Sequence, residues 1–95
     1  MIYNRDYVYA LTYKRYMFYV GRGCRHRMFS HEKDVRAGRI PHNNLALYRT
    51  IKSIIHKGGK ITYKILAENL TRWQACQIET SYIKKVWSSI NQYSR

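Results

Sequence analysis

The chain has 95 residues, enough for one domain with a closed core and too few for two. Its 45% hydrophobic content, ten Tyr and single Pro argue for a folded protein, whereas 18 Lys and Arg against five acids give +13. That excess repels itself when compact, so an anionic partner, nucleic acid first, is its economical explanation. No run is long enough to span a bilayer, and no basic helix with a clean apolar face stands apart for a membrane surface. Met1–Asp6 lacks an apolar signal core, which sets the expectation of a cytoplasmic or nucleoid-associated protein. Cys24 and Cys76 show no CxxC or other metal spacing, and without an export signal they read as two separate thiols.

In chain order, period-two alternation predicts a hairpin, Tyr7–Leu11 and Tyr16–Gly21, turning at Tyr13-Lys14-Arg15. With Leu11 opposite Met17, the expected register sets Ala10 opposite Phe18 and Val8 opposite Val20 on the core side. Tyr9 then faces Tyr19 on the other side, close enough to act with it. Gly21-Arg22-Gly23 is expected to break the second strand. A helix follows from Arg25 to about Ala37, closed by Gly38 and Pro41. Arg27 and His31 share one face of it, a turn apart.

A second helix is predicted from Asn43 or Asn44 to about Lys57, apolar at Leu45, Leu47, Tyr48, Ile51, Ile54 and Ile55, with Gly58-Gly59 ending it. Lys60–Ala67 reads as a third strand. Thr71 and Gln74 form a capping box for the last helix, whose stripe is Cys76, Ile83, Trp87 and Ile90, widened by Ala75, Tyr82 and Val86. The order β-β-α-α-β-α is α+β.

Glu79 lies three residues after Cys76 and four before Ile83, on that inward stripe. A carboxylate there carries a desolvation cost unless it forms an ion pair or binds a cation. Asp6, Glu32, Asp34 and Glu68 fall where solvent-facing acids are expected, so Glu79 is the candidate metal ligand. A single carboxylate suits Mg²⁺, or Mn²⁺, which keeps several waters and completes its shell with substrate phosphate.

Tyr9 and Tyr19 are either strand packing or phenols aimed at a phosphate, and a phenol acts as a base only beside cations or metal. Arg27 is a solvated charge or a fork holding a phosphate oxygen. His31 is a half-buried histidine or a proton relay. His26, His31, His42 and His56 lack zinc spacing, and Gly21-Arg22-Gly23 is no P-loop.

The ordered set resembles the GIY-YIG endonuclease family. Tyr7-Val8-Tyr9 is similar to its first motif and Tyr19-Val20-Gly21 to its second. Arg27-x-x-x-His31 is similar to its helix motif, Pro41-His42-Asn43-Asn44-x-x-Leu47 to the segment before its second helix, and Glu79-x-x-Tyr82-Ile83 to its metal-binding glutamate segment. Ile90-Asn91 falls where such domains close. Tyr7 stands where the family's first motif has a glycine. The resemblance covers about Tyr7 to Asn91.

It implies a small three-stranded antiparallel sheet flanked by helices, a single nuclease domain over residues 1–95 that cuts DNA with one divalent metal on Glu79. Tyr9 would activate or hydrogen-bond water, Tyr19 would lie near the phosphate, Arg27 would stabilise charge and His31 would accept or relay a proton. Arg22, Arg25, Lys33, His42, Asn43 and Asn44 are expected on the DNA. Such a chain leaves no room for a DNA-reading domain, so specificity would come from DNA shape, a homodimer or a partner protein. The competing expectation is a non-catalytic nucleic-acid-binding domain. It would use Lys14, Arg15, Arg22, Arg25, Lys33, Arg36, Arg39, Lys84 and Lys85 on phosphates, with exposed tyrosines stacking on bases. A third is a ribosome-associated or structural protein, which needs no inward carboxylate.

Overall fold

The computed structural model describes residues 5–41 and 44–93, with side chains through residue 85. The elements are β1 (Asp6–Tyr13), β2 (Tyr16–Gly23), α1 (Arg27–Arg36), α2 (Leu45–His56), β3 (Ile61–Leu70) and α3 (Arg72–Tyr93). The three strands form one antiparallel sheet in the order β2-β1-β3. The expected α+β class and element order are therefore found. No helix among the described residues is long and apolar enough to cross a membrane.

As the central strand, β1 is covered on both faces, and Tyr7 to Leu11 are almost wholly buried. Its odd residues Tyr7, Tyr9 and Leu11 pack against Met28 of α1 and Leu47, Ile51 and Ile54 of α2. Its even residues Val8 and Ala10, with Val20 of β2, pack against Ala75 of α3. The sheet is thus the middle of three layers. Sequence alternation marked only the Val8 side as core; the larger cluster lies on the tyrosine side.

The hairpin register also differs from expectation. Leu11 pairs with Tyr19, Ala10 with Val20 and Tyr9 with Gly21, while Thr12 pairs with Met17 across a bulge. The turn is Lys14-Arg15, with Lys14 at φ 58°. The two-residue turn moves the pairs by one position and the extra residue of the bulge by one more, and Phe18 joins the tyrosine-side cluster, not opposite Ala10. A two-residue offset keeps Tyr9 and Tyr19 on one face, whereas Met17, expected opposite Leu11, packs with Val8 and Ala10. Nor do Gly21-Arg22-Gly23 break the strand: β2 runs through Gly23, paired to Tyr7.

Helices α1 and α2 end alike. Arg39 N–H donates to the Asp34 carbonyl and Gly38 N–H to that of Val35; Gly59 and Gly58 do the same to Ile54 and Ile55. Gly38 at φ +76° and Gly58 at φ +74° supply the left-handed residue each such closure needs. On α2 the expected core positions Leu47, Tyr48, Ile51 and Ile54 are buried, but Leu45, in the first turn, is exposed.

On α3 the capping box forms as expected: Thr71 N–H donates to Gln74 Oε1 (3.0 Å) and Gln74 N–H to Thr71 Oγ1 (3.1 Å). The inward stripe, however, is Ala75, Ile78, Glu79 and Tyr82, not Cys76 and Ile83, which are exposed. A helix with apolar residues on two sides leaves its periodicity ambiguous, and the sheet selects the narrower, smaller side. The expected stripe members Val86, Trp87 and Ile90 lie outside the described side chains, as does Asn91. Cys24 and Cys76 are both free.

Candidate active site

The tyrosine face of the hairpin builds the site's floor. Gly21 lies opposite Tyr9, and a Cβ there would meet Tyr9 Oη at 2.7 Å and Tyr19 Cε2 at 2.8 Å. Its missing side chain is what lets the two phenols close over the β2 backbone. The Tyr9 and Tyr19 ring centres are 6.2 Å apart.

Arg27 opens α1 directly after β2, and the one-turn spacing carries His31 back over the phenols. His31 Nε2 lies 2.7 Å from Tyr9 Oη, and its ring packs edge-on to Tyr19 at 5.1 Å. Tyr7 sets the position of this helix. Its hydroxyl donates to the Arg25 carbonyl (2.7 Å) and accepts from Met28 N–H (3.2 Å). His26, at the N-cap, gives no side-chain cap hydrogen bond, so the buried tyrosine supplies that cap from β1.

Arg27, Ser30, His31 and Asp34 of α1, with Asn44, Leu47 and Tyr48 from the start of α2, line a cleft of about 110 Å³. Asn44 is the α2 N-cap at φ 60° and lies close enough to Tyr19 to act on its hydroxyl. Asp34 of the same cleft is already bound to Arg39 at 3.0 Å. Among the described residues no carboxylate pairs with Arg27, which leaves its guanidinium free to take an anion.

The electrostatics follow from burial. Tyr9 is held far above the ordinary phenol value near 10, first by desolvation, then by the negative charge Tyr19 would carry, with Arg27 opposing. Tyr19 is raised by desolvation and then by the Glu79 carboxylate. His31 is lowered by desolvation and then by Arg27. At neutral pH both phenols are protonated and the imidazole is neutral. In the tautomer protonated on Nδ1, Tyr9 O–H donates and His31 Nε2 accepts.

Glu79 reaches this group from the opposite layer. It sits on the inward stripe of α3 at the β2 edge, near enough for its charge to act on Tyr19. Its carboxylate is 21% exposed and its Oε1 is 3.3 Å from Arg22 Nε. Four expected residues, Tyr9, Tyr19, Arg27 and His31, therefore meet in one place, and the fifth borders it through Tyr19. A lone half-buried carboxylate fits a hydrated divalent cation, with Arg22, itself 39% exposed, as a displaceable competitor.

The expected DNA contacts divide. Arg25 and Lys33 are exposed, whereas Arg22 is engaged by Glu79. Asn44 lines the cleft, and His42 and Asn43 lie outside the described residues.

Sequence reasoning placed Glu32 among solvent-facing acids, and there the structure differs. Glu32 is half-buried, accepts from the Tyr63 hydroxyl and pairs with Arg36 at 2.9 Å, while Phe29 packs edge-on to Tyr63 at 4.8 Å. This network ties α1 to β3. The contact joins residues 31 positions apart, and no local pattern announces it. The Tyr7 cap was equally hidden, though a tyrosine in place of the resembled family's glycine was its one signal.

Compared with known proteins, the chain has no significant match to any family model, any curated protein or any solved structure.

Proposed function

We propose that the chain is a divalent-metal-dependent DNA endonuclease of GIY-YIG type, which hydrolyses one phosphodiester bond per site. The observation that carries this reading is the gathering of two phenols, a free arginine and a neutral histidine beside a half-buried carboxylate, in a protein of net charge +13. The sequence order of these groups is that of the family it resembles.

In this reading Arg27 holds a non-bridging oxygen of the scissile phosphate and offsets charge that grows in the transition state. Tyr9 receives a proton from the attacking water as its own passes to His31 Nε2 along the 2.7 Å hydrogen bond, so no phenolate accumulates. Tyr19, packed against the His31 ring, donates to a phosphate oxygen. Glu79 would hold Mg²⁺ or Mn²⁺, which when bound neutralises charge on the phosphate and leaving group. Arg22 then passes from the carboxylate to the DNA backbone. One site cuts one strand, so double-strand breaks need two events, a homodimer or a partner protein.

The pairing of Glu79 with Arg22 favours one alternative, a non-catalytic basic nucleic-acid-binding domain in which that ion pair is structural. Supercoiled plasmid separates the two. Purified protein should nick it with Mg²⁺ and not with chelator. Glu79→Ala should abolish nicking while plasmid binding stays or tightens, and Arg27→Ala should slow nicking by about 10² or more. Binding with no metal-dependent nicking would establish the alternative.

A further inference from the structure

The outward side of α2 carries Arg49, Lys52, Ser53, His56 and Lys57, all exposed, around one open groove. Their spacing of 3, 1, 3 and 1 places them on one helical face. That face is opposite Leu47, Ile51 and Ile54, which anchor α2 in the core, so it points away from the cleft. No acid occurs between Asp34 and Glu68. The ion pairs among the described residues neutralise Arg22, Arg36 and Arg39, and none engages Arg49, Lys52 or Lys57. Lys52 is steadied over the Tyr48 ring at 5.8 Å.

We propose that this face of α2 is a second nucleic-acid-binding surface, separate from the cleft, that takes backbone phosphates. Uncompensated cations on a rigid helix repel one another, and a polyanion relieves that repulsion. The stripe from Arg49 to Lys57 rises about 12 Å, the axial length of three to four nucleotides of one strand. Phosphate contacts ask only for spaced cations and hydrogen-bond donors such as the Ser53 hydroxyl. The other polyanionic or acidic partners fit less well. A helix lying in a membrane must offer its apolar face, and that of α2 is committed to the core. A specific protein interface needs aromatic or aliphatic anchors, and the stripe has none. Two of the arginines that a count of charges marks as DNA contacts, Arg36 and Arg39, are quenched by acids, whereas these are not.

The surface binds whether or not the cleft cuts, so its test uses binding in chelator. A fluorescent 24-base-pair duplex is titrated by anisotropy at several salt concentrations. Combining Arg49→Gln, Lys52→Gln and Lys57→Gln should lower the slope of log K against log salt by about 2.7, from 0.9 per lost phosphate contact. A control variant with Arg5→Gln, Lys64→Gln and Arg72→Gln, all exposed, should keep most of the wild-type slope. Circular dichroism confirms that both variants fold; Gln at exposed helix positions costs little. An unchanged slope overturns the proposal. So does an equal fall in the control, which would assign the effect to net charge. Loss of binding to phosphatidylserine vesicles with the DNA slope intact overturns it too. None of these outcomes bears on plasmid nicking, which judges the cleft separately.

Discussion

Gly21 shows how much one absent methyl group can hold open. A Cβ at that position would sit within 2.8 Å of both tyrosines, and Tyr9 has no solvent side to retreat to. Gly21→Ala should therefore cost about 1–3 kcal/mol and displace Tyr9 from His31, with nicking falling further than stability. Denaturant melts beside nicking rates check this; equal activity in a stable variant would refute it. His31 sets a pH limit. Its folded-state value lies below the ordinary one near 6.5, because desolvation and Arg27 oppose its charge. The unfolded chain then binds the proton first, so stability is full above about 6.5 and declines as the pH falls below it. Melting temperature against pH should show this decline, flattened in His31→Gln.

At the scale of elements, local chemistry was legible wherever a turn or cap decides it. The Thr71–Gln74 box and the glycines ending α1 and α2 form within a few residues of chain, and the sequence carries them in full. Thr71→Ala should lower stability by about 1 kcal/mol through the lost bond to Gln74 N–H, with Thr71→Ser restoring it; a melting series tests both. Face assignment was less legible. On α3 both sides of the helix are apolar enough to serve, and Cys76 and Ile83 turned outward because Val8, Ala10 and Val20 leave room only for Ala75 between them. Glu79 kept its inward place since it neighbours both stripes. The bulge at Leu11–Thr12 is similar: nothing in Met17-Phe18-Tyr19 tells which residue is extra until both layers are packed.

Across the whole molecule, charge acts on stability and binding with opposite signs. Screening relieves self-repulsion in the free protein, so its melting temperature should rise between about 20 and 200 mM salt, roughly one decade of ionic strength. DNA affinity should fall over the same range, by about 10⁵ if some six phosphates are contacted. Calorimetric melts and anisotropy titrations read the two trends; parallel trends would show that charge governs neither. The layered architecture explains why the site can exist in so short a chain. A central strand buried on both faces fixes Tyr7 and Tyr9 rigidly, and the edge strand β2 lets groups from both helical layers meet around it.

From the sequence alone come the three strands and three helices, their order, the Thr71–Gln74 box, the closing glycines of α1 and α2, and the one-turn coupling of Arg27 to His31. All depend on interactions within a few residues, which periodicity and turn chemistry encode. Only the tertiary structure decided that both faces of β1 are core, that Tyr7 caps α1, that Glu32 joins Tyr63 and that Arg22 takes Glu79. Those contacts join residues far apart in the chain, and which of several chemically equivalent partners wins depends on packing volume and register, neither of which is a local property.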